Sequence, residues 1–236
     1  MLYFIKITGM NLDWCMLLKI LTDQYYTIGY SYFVKYLLLS SAIIIAAITI
    51  PIESWAEYNH KWDELAAWKE VKNNEIQVLI IRDAGVSQKY TDIVEDTINS
   101  KDVINSGKKL FQGWNEGIRQ ISKSYSVTIP TLHVQSKLDT QDSIIIYLMD
   151  KIDNEGYDGY TNLHYDKNGN IKKAFVKIFN VNELNENQLK TIVRHELGHA
   201  LGLGHTNEKN DLMQPIIDMR YTAISLLDLQ ALVRIY

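Results

Sequence analysis

The chain has 236 residues, 47% of them apolar and 22% charged, and a formal net charge of −4. That is room for one domain of ordinary size plus an extension, with enough apolar side chains for a packed core. There is no basic excess, which argues against nucleic acid as a partner. Cys15 is the only cysteine, so no intramolecular disulfide is possible.

Residues 1–35 are apolar and aromatic with scattered charges at Lys6, Asp13, Lys19, Asp23 and Lys35, and they hold no motif. Met10 or Met16 is a plausible alternative start. Tyr36 to Ile52 is an uncharged run, at the short end for a membrane span. Lys35 flanks it on one side and Glu53 and Glu57 on the other, so the positive-inside rule leaves residues 1–35 in the cytoplasm and everything after 53 outside. Ser54-Trp55-Ala56 also offers small residues where a signal peptidase cuts. A retained single-pass anchor at residues 36–52 and secretion after cleavage following Ala56 therefore both stand. A buried core helix, with the domain inside the cell, is the third reading.

Residues 53–74 form a juxtamembrane linker or amphipathic helix, with Leu65, Ala66 and Trp68 as its apolar side. Residues 75–236 form the main domain. Ile76 to Ile81 is a β-branched run that predicts a buried strand. A helical pattern follows, broken near Asn99–Asp102; its second part, Val103 to Tyr125, predicts a long helix from the spacing of Ile104, Leu110, Trp114, Ile118 and Ile121. Val127 to Val134 predicts a strand in which Pro130 signals an edge or a bulge. Ser143 to Met149 predicts a strand buried on both faces. Asn162 to Asp166 and Ile171 to Phe179 flank an Asn-Gly turn and predict a hairpin. A helix should begin near Asn185, which with Gln188 makes a capping box. A closing helix is expected over Thr222 to Tyr236, with Asp228 exposed. The order is α/β, with a mixed sheet.

The helix from Asn185 runs into His195-Glu196-Leu197-Gly198-His199-Ala200-Leu201-Gly202-Leu203-Gly204-His205. His195 and His199 are four apart, so both imidazoles leave one helix face and can share one metal at roughly 2.0–2.1 Å. Glu196 sits beside them, out of register for ligation and suited to take a proton from an attacking water. On a straight helix His205 would lie roughly 240° round from His199. Gly202 tolerates positive φ and can end the helix, bringing His205 back as a third ligand. Three protein ligands leave zinc an open position, the mark of a catalytic site. Leu189, Ile192, Val193, Leu197 and Leu201 make the apolar side. Gly198 inside the helix costs about 1 kcal/mol relative to alanine, for which close packing is the expected reason.

This H-E-x-x-H-x-x-G-x-x-H stretch resembles the zinc motif of the metzincin metalloproteases. Within them it is most similar to the matrixins, because Asp211-Leu212-Met213-Gln214-Pro215 matches a methionine turn with proline two after Met213. Thr206, where matrixins often carry serine, is a mild departure. The resemblance implies a metzincin-like α+β domain: a mixed twisted sheet whose edge strand lines the cleft, a long helix, an active-site helix and a C-terminal helix. It implies one catalytic Zn²⁺ on His195, His199 and His205, Glu196 as general base, Met213 as a floor beneath the histidines, and a protein or peptide substrate. A monomer is expected. No cysteine switch is possible in this domain. A structural zinc on His133 and His164, or calcium at Asp150, Asp153, Asp158 or Asp166, is conceivable, but no pattern supports either. Two rival functions remain: a zinc hydrolase of a non-protein substrate, and a membrane-tethered binding module with a vestigial zinc site.

Overall fold

A computed structural model describes Trp62, residues 66–105 and residues 107–236. The apolar run Tyr36–Ile52 and the cleavage position after Ala56 lie outside the described residues. Among those described, no helix is long and apolar enough to cross a membrane.

The frame is a five-stranded sheet. Its strands are β1 (Glu75–Arg82), β4 (Thr131–Val134), β5 (Ser143–Leu148), β6 (Gly159–Tyr165) and β7 (Ile171–Ile178), in the order β4-β1-β5-β7-β6. The first four are parallel, and β6 runs antiparallel to β7 at one edge. The register puts Val78, Ile144 and Ala174 in one row and Ile80, Ile146 and Val176 in the next. Ile144, Ile146, Ala174 and Val176 are fully buried, while Ile81 in an alternate row is exposed. One face of the sheet thus holds the core and the other is partly wet. β5 is buried almost throughout, as its unbroken apolar run predicts. β4 is the opposite edge, and Pro130 stands just before it, where no ladder donor is needed.

The β6–β7 turn forms where Asp166 Oδ1 accepts from the backbone N–H groups of Asn168 and Asn170, at 2.7 and 3.0 Å. Gly169 takes φ +80° there. Among the described residues the α-helices are α1 (Gln88–Asn99), α2 (Trp114–Tyr125), α3 (Glu186–Ala200) and α4 (Leu226–Ile235). α3 packs on β6, β7 and α1, and α2 packs on β4 and α4.

Two expectations need correction, and one open alternative is decided. The long helix over Val103 to Tyr125 is only α2; its first part is a small hairpin, β2 (Val103–Asn105) against β3 (Lys109–Phe111). Ile104 pairs with Leu110 across it, and Phe111 exchanges backbone hydrogen bonds with Ile224. Ile104 and Phe111 are seven apart and would share a helix face, but the same stretch also fits a hairpin, and Gly107 at φ +75° decides for the turn. Of the two readings of the segment before β1, its described positions fit the linker and not the amphipathic helix. Trp62 bridges to Thr206 and Trp68 to Ile171, and both indoles are buried in the domain. Finally, Asp228 is fully buried rather than exposed. Ser225 caps α4 in a box with Asp228 at N3, and Ser225 Oγ also donates to Asp211 Oδ2 at 2.8 Å. Asp228 Oδ1 finds no donor, and the group it faces is the Asp211 carboxyl. Burial first, and Asp211 second, push the Asp228 carboxyl well above the usual carboxylate range.

Candidate active site beneath the edge strand

α3 begins where the sequence indicates. Gln188 N–H donates to Asn185 Oδ1 at 3.0 Å, and Asn185 N–H donates to Gln188 Oε1 at 2.9 Å. Leu189, Ile192, Val193 and Leu197 are fully buried, at about 1.5–3 kcal/mol each when removed from water. They anchor the helix so that His195, Glu196 and His199 face the cleft. Arg194 is buried too: Nε donates to Gln112 O and Nη1 to Thr222 O, joining α3 to the chain after the methionine turn. Burial pulls its guanidinium down to about 10.

Gly202 takes φ +104°, and the space a Cβ would occupy is filled by the carbonyl of Ala66. Only glycine fits that turn. Beyond it, His205 comes back, its ring centroid 4.7 Å from that of His199 and 5.5 Å from that of His195. One ligand atom from each of the three lies within 4.8 Å of the other two. The Nε2 atoms of His195 and His199 are 3.0 Å apart. Both rings face backbone carbonyls through Nδ1: His195 to Leu212 O and His199 to Leu203 O, each at 2.8 Å. A carbonyl only accepts, so each Nδ1 carries the proton and each Nε2 offers a lone pair. Two lone pairs so close repel unless a cation lies between them. Burial holds His195 down at about 3 and His199 at about 4, which keeps both rings neutral. The donor set fits a zinc ion.

Glu196 is buried, and desolvation raises its carboxyl to about 7. Its Oε2 accepts from Thr161 Oγ1 at 2.6 Å, a bond that lowers the pKa and opposes the burial. A side chain at Gly159 would meet Glu196 Oε1 and Ile192 Cγ2, both at 2.7 Å. The β6 edge therefore lies directly against the Glu196 carboxylate. The cleft of about 1290 Å³ runs under β6 and includes Tyr157, Tyr160, Ile216 and Met219 in its walls. The edge strand lines the cleft, as the resemblance implies.

Met213 is fully buried and closes the turn: Thr206 N–H donates to Met213 O at 2.9 Å, and Met213 N–H donates to Asp211 Oδ1 at 3.0 Å. Its sulfur occupies the place of a side chain at Gly198. That explains a glycine in the middle of α3. Among the described residues no second cluster of three or more His, Cys, Asp or Glu side chains could hold a metal. His133 is exposed on β4, and His164 stands edge-on to Phe175. Asp166 is committed to its own turn. Thr161 and Gly159 carried no sequence signal, because their importance depends on β6 lying over α3.

The sequence pattern of the matrixin family matches residues 91–236. No curated protein matches the chain. Among solved structures it is similar to high choriolytic enzyme 1, a hatching enzyme zinc-protease from Oryzias latipes (medaka fish), at 10% identity and a TM-score of 0.36, over 72% of this chain and 92% of that one. The family match spans more than half of the chain and takes in the three histidines, Glu196 and the methionine turn. The chain belongs to the matrixin family, and it is a zinc metalloendopeptidase of the metzincin type.

Proposed function

We propose that His195, His199 and His205 hold one catalytic Zn²⁺, and that Glu196 is the general base for hydrolysis of a peptide bond in the cleft under β6. The observation that carries this is the convergence of three imidazoles, two of them held neutral by burial, beside a buried carboxylate whose basicity suits proton transfer near neutral pH. Bound zinc supplies Lewis acidity, which polarises a carbonyl and lowers the pKa of water. The chain's own residues do the rest. The outer edge of β6 and the walls around Tyr160 and Ile216 hold an extended peptide. Glu196 accepts a proton as the water oxygen bonds to the scissile carbon. It delivers that proton to the departing amine nitrogen as the C–N bond breaks. Thr161 keeps the carboxylate aimed at the cleft, and Met213 supports the histidines from below.

Residues 75–236 are the catalytic domain in this reading, and residues 53–74 lead into it. Residues 36–52 anchor it with the domain outside the cytoplasmic membrane; the charge asymmetry around that run supports this topology. Release after Ala56 would give the same domain in secreted form. The test is cleavage of a quenched peptide library by the full chain beside Glu196→Ala, with and without a chelator. The parent should cut and the variant should bind zinc without cutting; a variant as active as the parent would remove Glu196 from the mechanism. If carbonate extraction released the chain from membranes, the anchor would fall.

A further inference from the structure

An α-helix leaves its last four carbonyls without helical partners. At the end of α3 these belong to Gly198, His199, Ala200 and Leu201. The first two are met locally, by Leu203 N–H on Gly198 O and Gly202 N–H on His199 O, each at 2.9 Å. That pair is a Schellman closure, with Gly202 as its left-handed residue. The other two are met from far away. The Trp68 indole Nε1–H donates to Ala200 O at 2.8 Å, across 132 positions of sequence. The Tyr236 hydroxyl donates to Leu201 O at 3.0 Å and accepts from Trp68 N–H at 3.4 Å. Next along the turn, Gly202 O accepts from Ala66 N–H at 3.0 Å. Three successive carbonyls are thus held by groups outside the histidine motif, and Trp68 is almost wholly buried.

This turn sets two features of the metal site. It carries His205 back toward His195 and His199. It also carries Leu203, whose carbonyl accepts from His199 Nδ1. We propose that Trp68 and Tyr236 are positioning residues for the zinc site: by locking the Ala200–Gly202 turn they fix where His205 sits and how the His199 ring is held. The proposal rests on the three-histidine reading above. Trp68 lies outside residues 91–236, so the site depends on chain that the family match does not include.

The test uses the full chain and zinc itself. Zinc affinity is measured by competition with a chromophoric chelator for the parent, Trp68→Phe, Tyr236→Phe and the double variant, beside thermal unfolding of each metal-free protein. Tyr236→Phe keeps its ring and loses only the hydroxyl, while Trp68→Phe loses the indole N–H together with part of the ring system. Each should bind zinc about 10-fold more weakly or worse, the usual effect of losing a group that orients a ligand. The two should be less than additive in the double variant, because both donors lock the same turn. Ile146→Val, a small cavity in β5 away from the turn, should lower the unfolding temperature with no change in zinc affinity. Variants that lose stability as Ile146→Val does yet bind zinc like the parent would overturn the proposal and leave Trp68 and Tyr236 as structural residues only. If Trp68→Phe does not fold, Tyr236→Phe, which loses one oxygen, decides alone. A parent that binds no zinc would overturn the three-histidine reading itself, and this proposal with it.

Discussion

The two ends of α3 are closed in different ways. At the N-terminus Asn185 and Gln188 satisfy each other's backbone donors within four residues, and the cap asks nothing of the rest of the protein. At the C-terminus the helix needs Trp68 from before the first strand, Tyr236 from after the last helix, and a glycine whose missing side chain makes room for Ala66. The first end only has to start a helix. The second has to stop one at a given residue and return a third histidine to within ligand distance of two others. A local cap tolerates small displacements, whereas a metal site does not. The chemistry sits at the end that the tertiary structure holds.

The largest expected effect comes from crowding the chemical end. Gly198→Val would drive a branched side chain into the Met213 sulfur and destabilise the fold by about 3 kcal/mol, as overpacked cores do. Thermal unfolding reads this. Met213→Ala in the same chain should recover part of the loss; no coupling between the two would break the link between helix and floor.

Next is Thr161→Val, which removes the donor to Glu196 and keeps the shape. Loss of a hydrogen bond to a charged group should lower kcat/KM roughly tenfold. The pH profile adds a sign. Activity needs the Glu196 carboxylate, so it falls as pH drops through the pKa of that group. Burial puts that value at about 7, and a bound cation can only lower it. The Thr161 bond also lowers it, so Thr161→Val should move the acid limb to higher pH. An unmoved limb would detach Thr161 from the base.

At the self-capped end, Asn185→Ala should cost about 1 kcal/mol of stability and leave kcat/KM of the folded protein unchanged. A fall in activity there would blur the distinction between the two ends.

The smallest effect concerns the buried pair of carboxyls beneath the methionine turn. Asp228 is raised in the folded protein and ordinary in the unfolded chain. Its contribution to stability is therefore full below about 3.9 and declines as pH rises above that. Asp228→Asn keeps an acceptor for Ser225 N–H and gains a permanent donor toward Asp211. It should unfold at a higher temperature than the parent at pH 8 and at nearly the same temperature at pH 4.

Much of this site could be read from residue order. The pattern His195 to His205 names its own candidate ligands, since a spacing of four on a helix and a glycine break are local facts. The Asn185 cap, the Asp166–Asn170 turn and the buried β5 run were equally legible, because each depends on neighbours in sequence. The hairpin at Val103–Phe111 was not, because apolar spacing alone does not separate a helix face from a two-stranded ribbon. Asp228 escapes the sequence for a related reason: a carboxylate in the first turn of a helix usually faces water, and only tertiary packing buries it, with Asp211 beside it.

By itself, then, the sequence determined which side chains are offered for metal binding and for a base, and where α3 begins and turns, because those depend on side-chain type and short spacing. The tertiary structure decided what surrounds them. It set Thr161 on Glu196, the Met213 sulfur against Gly198, and Trp68 and Tyr236 on the last carbonyls of α3. Those contacts join residues up to 168 positions apart, counting the bond between Trp68 and Tyr236. No spacing rule reaches that far; only the packing of the sheet, α3 and α4 brings such groups within hydrogen-bond distance.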